Sequence, residues 1–348
     1  MMLAGSTLVI RPGAIGDAIL TLPALELLLA GGAQPLTVLG TPASWRFLPL
    51  GSDEIRVMDF SSAEWLGIFS DQAEVSTRAA SLLAQTKLAV VFLAGATQAI
   101  ERRLKKFGVG EVLVIEPPLA AQKKSSCVAQ SQRAVRWFEN ALPPEHAARR
   151  LLEPLKAIFA PNAGLGNKVR SINLCPSIEG RKTEINHLES TTRSYGFKTL
   201  IALHPGSGGK KKCWPAVHFA QLAKLIIKEL NALPVAFFGP ADANTHDEYF
   251  AALGPKFPYC GLEGYPLHEV FVMLEQCKMA ICNDSGMAHL AARATQTLAL
   301  FGPTDAAEWA PVGGQVWTLQ APGNDMSALS VDEVFALSAR IFKTQDKL

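Results

Sequence analysis

Asp284, Ser285, Gly286 and His289 lie within six residues of one another, and together they offer a carboxylate, a hydroxyl, an open backbone and an imidazole. They close the apolar run Met279–Cys282 and precede the helix-compatible run Met287–Ala294. A second apolar run, Thr297–Phe301, ends in Gly302-Pro303-Thr304-Asp305. This is strand, turn, helix, strand, turn. In α/β sheets the turn after a strand opens at the carboxyl edge, where ligands bind. The amides that start the new helix lack intrahelical acceptors and sit at the positive end of its dipole, which suits a phosphate. Gly286 lets a ligand approach the backbone. A simpler role is also open, because Asp and Ser are preferred helix caps and His289 could be a satisfied core histidine.

Two more segments carry the same grammar. Strand Thr7–Ile10 runs into Arg11-Pro12-Gly13-Ala14-Ile15-Gly16-Asp17, and Ala18–Ala30 has helical composition despite Pro23. Gly13 and Gly16 make a loop that backbone or ligand can approach closely. The spacing is not the dinucleotide pattern G-x-G-x-x-G, so it does not announce NAD. Asp17, at the loop-to-helix junction, is either a cap or a carboxylate facing a ligand. The third segment follows strand Leu200–Leu203 and reads His204-Pro205-Gly206-Ser207-Gly208-Gly209-Lys210-Lys211-Lys212-Cys213-Trp214-Pro215, with a helix from about Ala216. Glycines and lysines before a helix suit a phosphate, although the Walker A pattern is not matched. A solvated basic loop is the alternative.

The elements that must position these loops alternate along the whole chain. The first half offers strands Thr7–Ile10, Leu36–Leu39, Glu54–Asp59, Leu88–Leu93 and Val112–Glu116. The second offers Leu200–Leu203, Pro234–Gly239, Tyr259–Gly261, Met279–Cys282, Thr297–Phe301 and Val316–Leu319. Strands interleaved with helical runs predict an α/β protein with parallel sheets covered on both faces. A polar stretch, 161–198, has little periodicity and reads as a domain boundary, since so long a loop is unusual inside one domain. At 348 residues the chain can build two cores.

Composition limits the partners. The net charge of +2 decides nothing about nucleic acid by itself, and none is expected. Cysteines 127, 175, 213, 260, 277 and 282 contain no C-x-x-C pair and suit a reducing compartment. No signal peptide and no transmembrane run of about 18 apolar residues is read. Residues 101–150 hold ten Lys/Arg against five acidic residues. That block is either a set of solvated helix faces or a patch for an anionic acceptor or membrane surface.

Taken together, RPGAIGDAILTLPAL, LHPGSGGKKKCWP, CNDSGMAHLAA and LFGPTD resemble glycosyltransferase family 9, the ADP-heptose:lipopolysaccharide heptosyltransferases, in order and in separation. The resemblance implies a GT-B fold: two Rossmann-like domains facing each other across a cleft. It implies an acceptor domain over 1–170, a linker over 171–198 and a nucleotide-sugar domain over 199–330, with the C-terminal helix 331–348 packing back on the first domain. It also implies inverting transfer of a heptose from ADP-heptose to the anionic inner core of lipopolysaccharide. The setting would be cytoplasmic, with possible peripheral contact at the inner membrane.

By the same resemblance Asp17 matches the general base and Lys212 the phosphate-binding lysine. Asp284, Ser285, Gly286, Met287 and His289 match the donor-binding run, Ser207 a phosphate-binding hydroxyl, and Asp242 a ribose-binding acid. Ser285 stands where better-known members carry threonine, and Gly208 where some carry a second hydroxyl. No cofactor is implied and no metal: there is no D-x-D, since Asp242-Ala243-Asn244 lacks a second carboxylate. The alternatives are another nucleotide sugar, a sugar-nucleotide 2-epimerase of the same fold, or a non-catalytic nucleotide-sugar-binding relative. The Gly13–Asp17 loop argues against the epimerase, and the presence of both Asp17 and Lys212 argues against the non-catalytic relative.

Overall fold

The computed structural model describes residues 5–48, 55–95, 97–117, 134–137, 142–159, 172, 174, 186 and 188–344. They divide into two compact units. The first comprises Met1–Gln122 and Ala147–Asn173, and the second Lys123–His146 and Leu174–Leu348.

The first unit holds strands β1 (Gly5–Arg11), β2 (Ala33–Gly40), β3 (Ile55–Asp59), β4 (Leu88–Phe92) and β5 (Glu111–Ile115). Its longer helices are α1 (Ile15–Ala30), α2 (Thr77–Gln85), α3 (Thr97–Lys106) and α4 (Ala147–Phe159). The sheet order is β3-β2-β1-β4-β5, all parallel. Central strands such as Leu88–Phe92 are buried along their length, as expected of a sheet covered on both faces. Leu8, Ile10, Val91, Leu83 and Leu104 belong to one apolar cluster.

The second unit holds β6 (Ala134–Trp137), β7 (Leu200–His204), β8 (Leu233–Phe238), β9 (Cys260–Glu263), β10 (Met279–Asn283), β11 (Gln296–Phe301) and β12 (Val316–Gln320). Its longer helices are α5 (Ala216–Leu230), α6 (Ala243–Leu253), α7 (Leu267–Glu275), α8 (Gly286–Ala294) and α9 (Val331–Thr344). The order is β6-β12-β11-β10-β7-β8-β9, parallel except for the antiparallel edge strand β6. In both units the order reverses direction beside one central strand: β1 against β4 in the first, β7 against β10 in the second. Ligands of doubly wound sheets bind outside the carboxyl ends of the strands at that reversal. The three chemistry-bearing loops follow β1, β7 and β10.

The domain division differs from the sequence expectation in three places. β6 pairs with β12, so residues 134–137, expected in the first domain, belong to the second unit. Residues 188–194, expected to be linker, are helical, while much of the remaining 171–198 lies outside the described residues. The C-terminal helix α9, expected back on the first domain, sends Val334, Leu337 and Ile341 into the same cluster as Phe219, Leu222 and Ile226 of α5. Its apolar stripe at i, i+3, i+7 is complementary to α5, and that burial assigns it to the second unit.

Candidate active site

In the first unit, α1 begins at Ile15, so Asp17 is its third residue. Ala14 at the N-cap has no side-chain acceptor. Asp17 Oδ2 takes the Ala14 N–H at 3.0 Å, which is half of a capping box. Asp17 Oδ1 accepts from Arg11 Nη2 at 2.9 Å. The cap is therefore real, but it uses one oxygen only, and the Asp17 side chain stays 35 % exposed. Gly13 has φ +138°, and a Cβ there would lie 2.6 Å from Asp17 Oδ2. Only glycine lets the loop fold over the carboxylate. Ser44 Oγ pins the loop by donating to Gly13 O at 2.7 Å.

In the second unit, one carboxylate organises two loops. Lys212 Nζ donates to Asp284 Oδ2 at 2.8 Å, and Thr304 Oγ1 donates to the same oxygen at 2.5 Å. Ser207 Oγ donates to Asp284 O at 2.8 Å. Asp284 is thus no helix cap. Ser285, at the N-cap of α8, makes no side-chain cap bond either, and its Oγ is buried without a hydrogen-bond partner among the described residues. The amides of Gly286 and Met287 open α8 and have no intrahelical acceptor. His289, one turn on, is buried.

The structure brings Ser207, Lys212, Asp284, Ser285, Gly286 and Met287 to one sheet edge, and Gly13, Gly16 and Asp17 to the edge of the other unit. Lys210 and Lys211 are exposed and share a single 3-10 turn with Lys212. Among these three lysines, Lys212 alone has an ion pair among the described residues.

Sequence reasoning gave no role to Asn283, Thr304 or Arg11. Asn283 is fully buried, accepts from Trp214 N at 3.0 Å and donates to Pro205 O at 2.7 Å, so it clamps both ends of the glycine-rich loop. Trp214 anchors that loop by donating Nε1–H to Leu329 O at 2.9 Å. The only sequence signal for Asn283 and Thr304 was their presence in the strand-end turns. Asp242 is buried, and its Oδ2 accepts from Gly239 N at 2.8 Å. His204 Nδ1 donates to Phe237 O at 2.9 Å. Burial lowers the His204 pKa, against that bond and the nearby Asp242 charge. Burial likewise raises the Cys213 thiol.

The basic block 101–150 is thinner than its sequence suggests. Arg103 forms a two-point pair with Asp71 at 2.7 and 2.6 Å, and Lys105 pairs with Glu111. Arg149 pairs with Glu153. Arg102 and Lys106 remain exposed on α3. Lys123, Lys124 and Arg133, like Cys127 and Cys175, lie outside the described residues. Among the described residues no helix is long and apolar enough to cross a membrane, and no cluster of three His, Cys, Asp or Glu is placed to hold a metal ion.

Comparison with known proteins bears on the whole arrangement. The chain is 35% identical over 126 residues to lipooligosaccharide heptosyltransferase 2 of Haemophilus influenzae, covering 34% of this chain and 36% of that protein. It is 37% identical over 113 residues to lipopolysaccharide heptosyltransferase 2 of Salmonella typhimurium, covering 31% and 32%. These alignments span about a third of each relative's length. A solved glycosyltransferase family 9 structure from Veillonella parvula superposes with a TM-score of 0.70 at 18% identity, covering 98% of both chains. E. coli ADP-heptose lipopolysaccharide heptosyltransferase II superposes at 0.68 and 17%, covering 98% of this chain and 99% of that one. These likenesses give the fold, GT-B with two Rossmann-like units. The model of glycosyltransferase family 9 (heptosyltransferase) matches residues 120–333, more than half of the sequence, and the chain belongs to that family.

Proposed function

We propose that the protein is an inverting heptosyltransferase that moves a heptose from ADP-heptose to the anionic inner core of lipopolysaccharide. The observation that carries this reading is the β7 and β10 strand-end pair: a lysine, a buried hydroxyl and the open amides of α8 converge at the reversal point of the second sheet. That set suits a diphosphate, with amides giving directional donors and ammonium giving charge. One relative of this fold supports the choice of nucleotide: E. coli heptosyltransferase WaaC was solved with ADP and with ADP-2-deoxy-2-fluoro heptose.

In this reading an acceptor hydroxyl attacks the anomeric carbon as the bond to the diphosphate breaks. Its proton passes to Asp17, whose carboxylate keeps acceptor capacity beyond the Ala14 and Arg11 bonds. The electron pair of the breaking bond leaves on ADP. Lys212, with the Gly286 and Met287 amides and Ser285 Oγ, stabilises that growing charge. Asp284 acts through Lys212 by holding its ammonium, and its backbone carbonyl holds Ser207. Asp242 and the Gly206 loop take the nucleoside side. The acceptor would be met at the cytoplasmic face of the inner membrane.

The test is thermal protection by a panel of nucleotides and nucleotide sugars, since a ligand that binds only the native state stabilises it by mass action. ADP and ADP-heptose should protect more than UDP, GDP and their sugars. Preferential protection by UDP or GDP species would replace the donor. Absence of protection by every member would remove the donor-site reading.

A further inference from the structure

We propose that Arg11 is the positioning residue of the transfer reaction, fixing the Asp17 carboxylate in the orientation that accepts the acceptor's proton. The proposal rests on the reading of Asp17 as the base. Arg11 is the last residue of β1, and its side chain is 6 % exposed. Its Nη2 donates to Asp17 Oδ1 at 2.9 Å and its Nε to Thr21 Oγ1 at 3.2 Å. Thr21 Oγ1 in turn donates to Asp17 O at 2.7 Å. The guanidinium therefore grips α1 at two points one turn apart: the Asp17 carboxylate and the Thr21 hydroxyl, which is itself bonded to the Asp17 carbonyl.

A helix cap does not need this device. The Ala14 N–H already provides the cap, and it engages the other oxygen. Burying a guanidinium is costly unless it is paired, and among the described residues Asp17 is the only carboxylate paired with Arg11. Burial lowers the affinity of Arg11 for its proton while Asp17 opposes that. Arginine nevertheless stays cationic in proteins. The result is a carboxylate with one bond on each oxygen, a fixed plane and a partly exposed edge. Two rigid elements, the end of β1 and the first turn of α1, define that plane. A proton acceptor works when it is held within hydrogen-bond reach of its proton, and loss of alignment costs rate more than binding. Lysine cannot replace the fork, because one ammonium on a flexible stem does not span both Asp17 and Thr21 with the same geometry.

The experiment compares Arg11→Met, Arg11→Lys and Asp17→Asn, alone and combined, in transfer from ADP-heptose to a heptose-deficient lipopolysaccharide core. Arg11→Met should lower kcat by about 10- to 100-fold, the scale of a misplaced reacting group, with donor KM within about twofold of the parent. Arg11→Lys should recover part of that kcat and leave the same KM. Arg11→Met added to Asp17→Asn should cost little more, because both act on one proton transfer. A parental kcat in Arg11→Met, or an equal fold-loss with and without Asp17, overturns the proposal. If Arg11→Met cannot be purified folded, Arg11→Lys decides alone: a folded Arg11→Lys with parental kcat overturns it. Near-parental turnover by Asp17→Asn would instead remove the base reading itself, a separate outcome from an inactive Asp17→Asn beside a normal Arg11→Met.

Discussion

Removing Lys212 and neutralising Asp284 break the same ion pair but should not cost the same. The pair is 2.8 Å long, with Asp284 6 % exposed and Lys212 35 % exposed. Removing one partner of a fully buried pair costs about 3–5 kcal/mol, and an exposed pair is worth about 0–1 kcal/mol. Lys212→Met leaves a buried carboxylate whose remaining side-chain partner among the described residues is Thr304, so the cost falls between these limits, at about 2–3 kcal/mol. Asp284→Asn keeps an acceptor for Thr304, and Lys212 can rehydrate through its exposed third, so its cost is about 1 kcal/mol. For a unit of this size each kcal/mol moves Tm by about 2–4 °C, giving drops of roughly 4–12 °C and 2–4 °C. Calorimetry or urea unfolding of the two variants measures the difference. Adding ADP then separates stability from binding. ADP should protect Lys212→Met less than Lys210→Met or Lys211→Met, whose lysines are exposed. Refutation is direct: an Asp284→Asn loss equal to or larger than that of Lys212→Met removes the asymmetry of burial. Equal loss of ADP protection at all three lysines would mean a diffuse basic loop.

Three further outcomes are expected. Gly206→Ala puts a Cβ 2.1 Å from Asp242 Oδ1, an overpacking worth about 1–3 kcal/mol that should largely disappear when Asp242→Ala is added; Gly208→Ala, with open space around it, should be silent, and a silent Gly206→Ala would contradict the loop geometry. Acid should destabilise the fold through His146 and His204, both with lowered folded-state pKa from burial. Below the unfolded value of about 6.5 the unfolded chain takes protons that the native state refuses, so Tm should fall as pH drops from about 7 to 5; His204→Asn should flatten the fall, and an unchanged slope would take His204 out of it. Reversing Arg102 and Lys106 should raise KM for an anionic acceptor and leave donor affinity alone, with added salt mimicking part of the loss because exposed charges are screened within about 8 Å; an unchanged acceptor KM would make α3 an ordinary solvated surface.

The strand-end loops were legible in the sequence because their chemistry is local. A strand closing in Gly or Asp-Ser-Gly before a helical run marks the carboxyl edge whatever surrounds it. All eleven expected strands are present, most displaced by only one to three residues at an end. What was not legible is set by tertiary partners. Thr304 meets Asp284 across 20 residues and Asn283 meets Trp214 across 69, and no spacing rule connects them. Arg11 reads as an ordinary strand-end cation until its burial against Thr21 is seen. β6 is four residues long and exists through pairing with β12. The net basic count of 101–150 could not reveal that Asp71, outside that block, holds Arg103.

The most direct test of the account is single-turnover transfer from ADP-heptose to a heptose-deficient lipopolysaccharide core, read by mass spectrometry, for the parent chain and Asp17→Asn. The parent should add one heptosyl residue, and Asp17→Asn should do so about 10²-fold more slowly, the scale of a positioned proton acceptor, while binding the donor as well as the parent. A parent chain that binds ADP-heptose yet transfers nothing, or an Asp17→Asn variant that keeps pace with the parent, would contradict it.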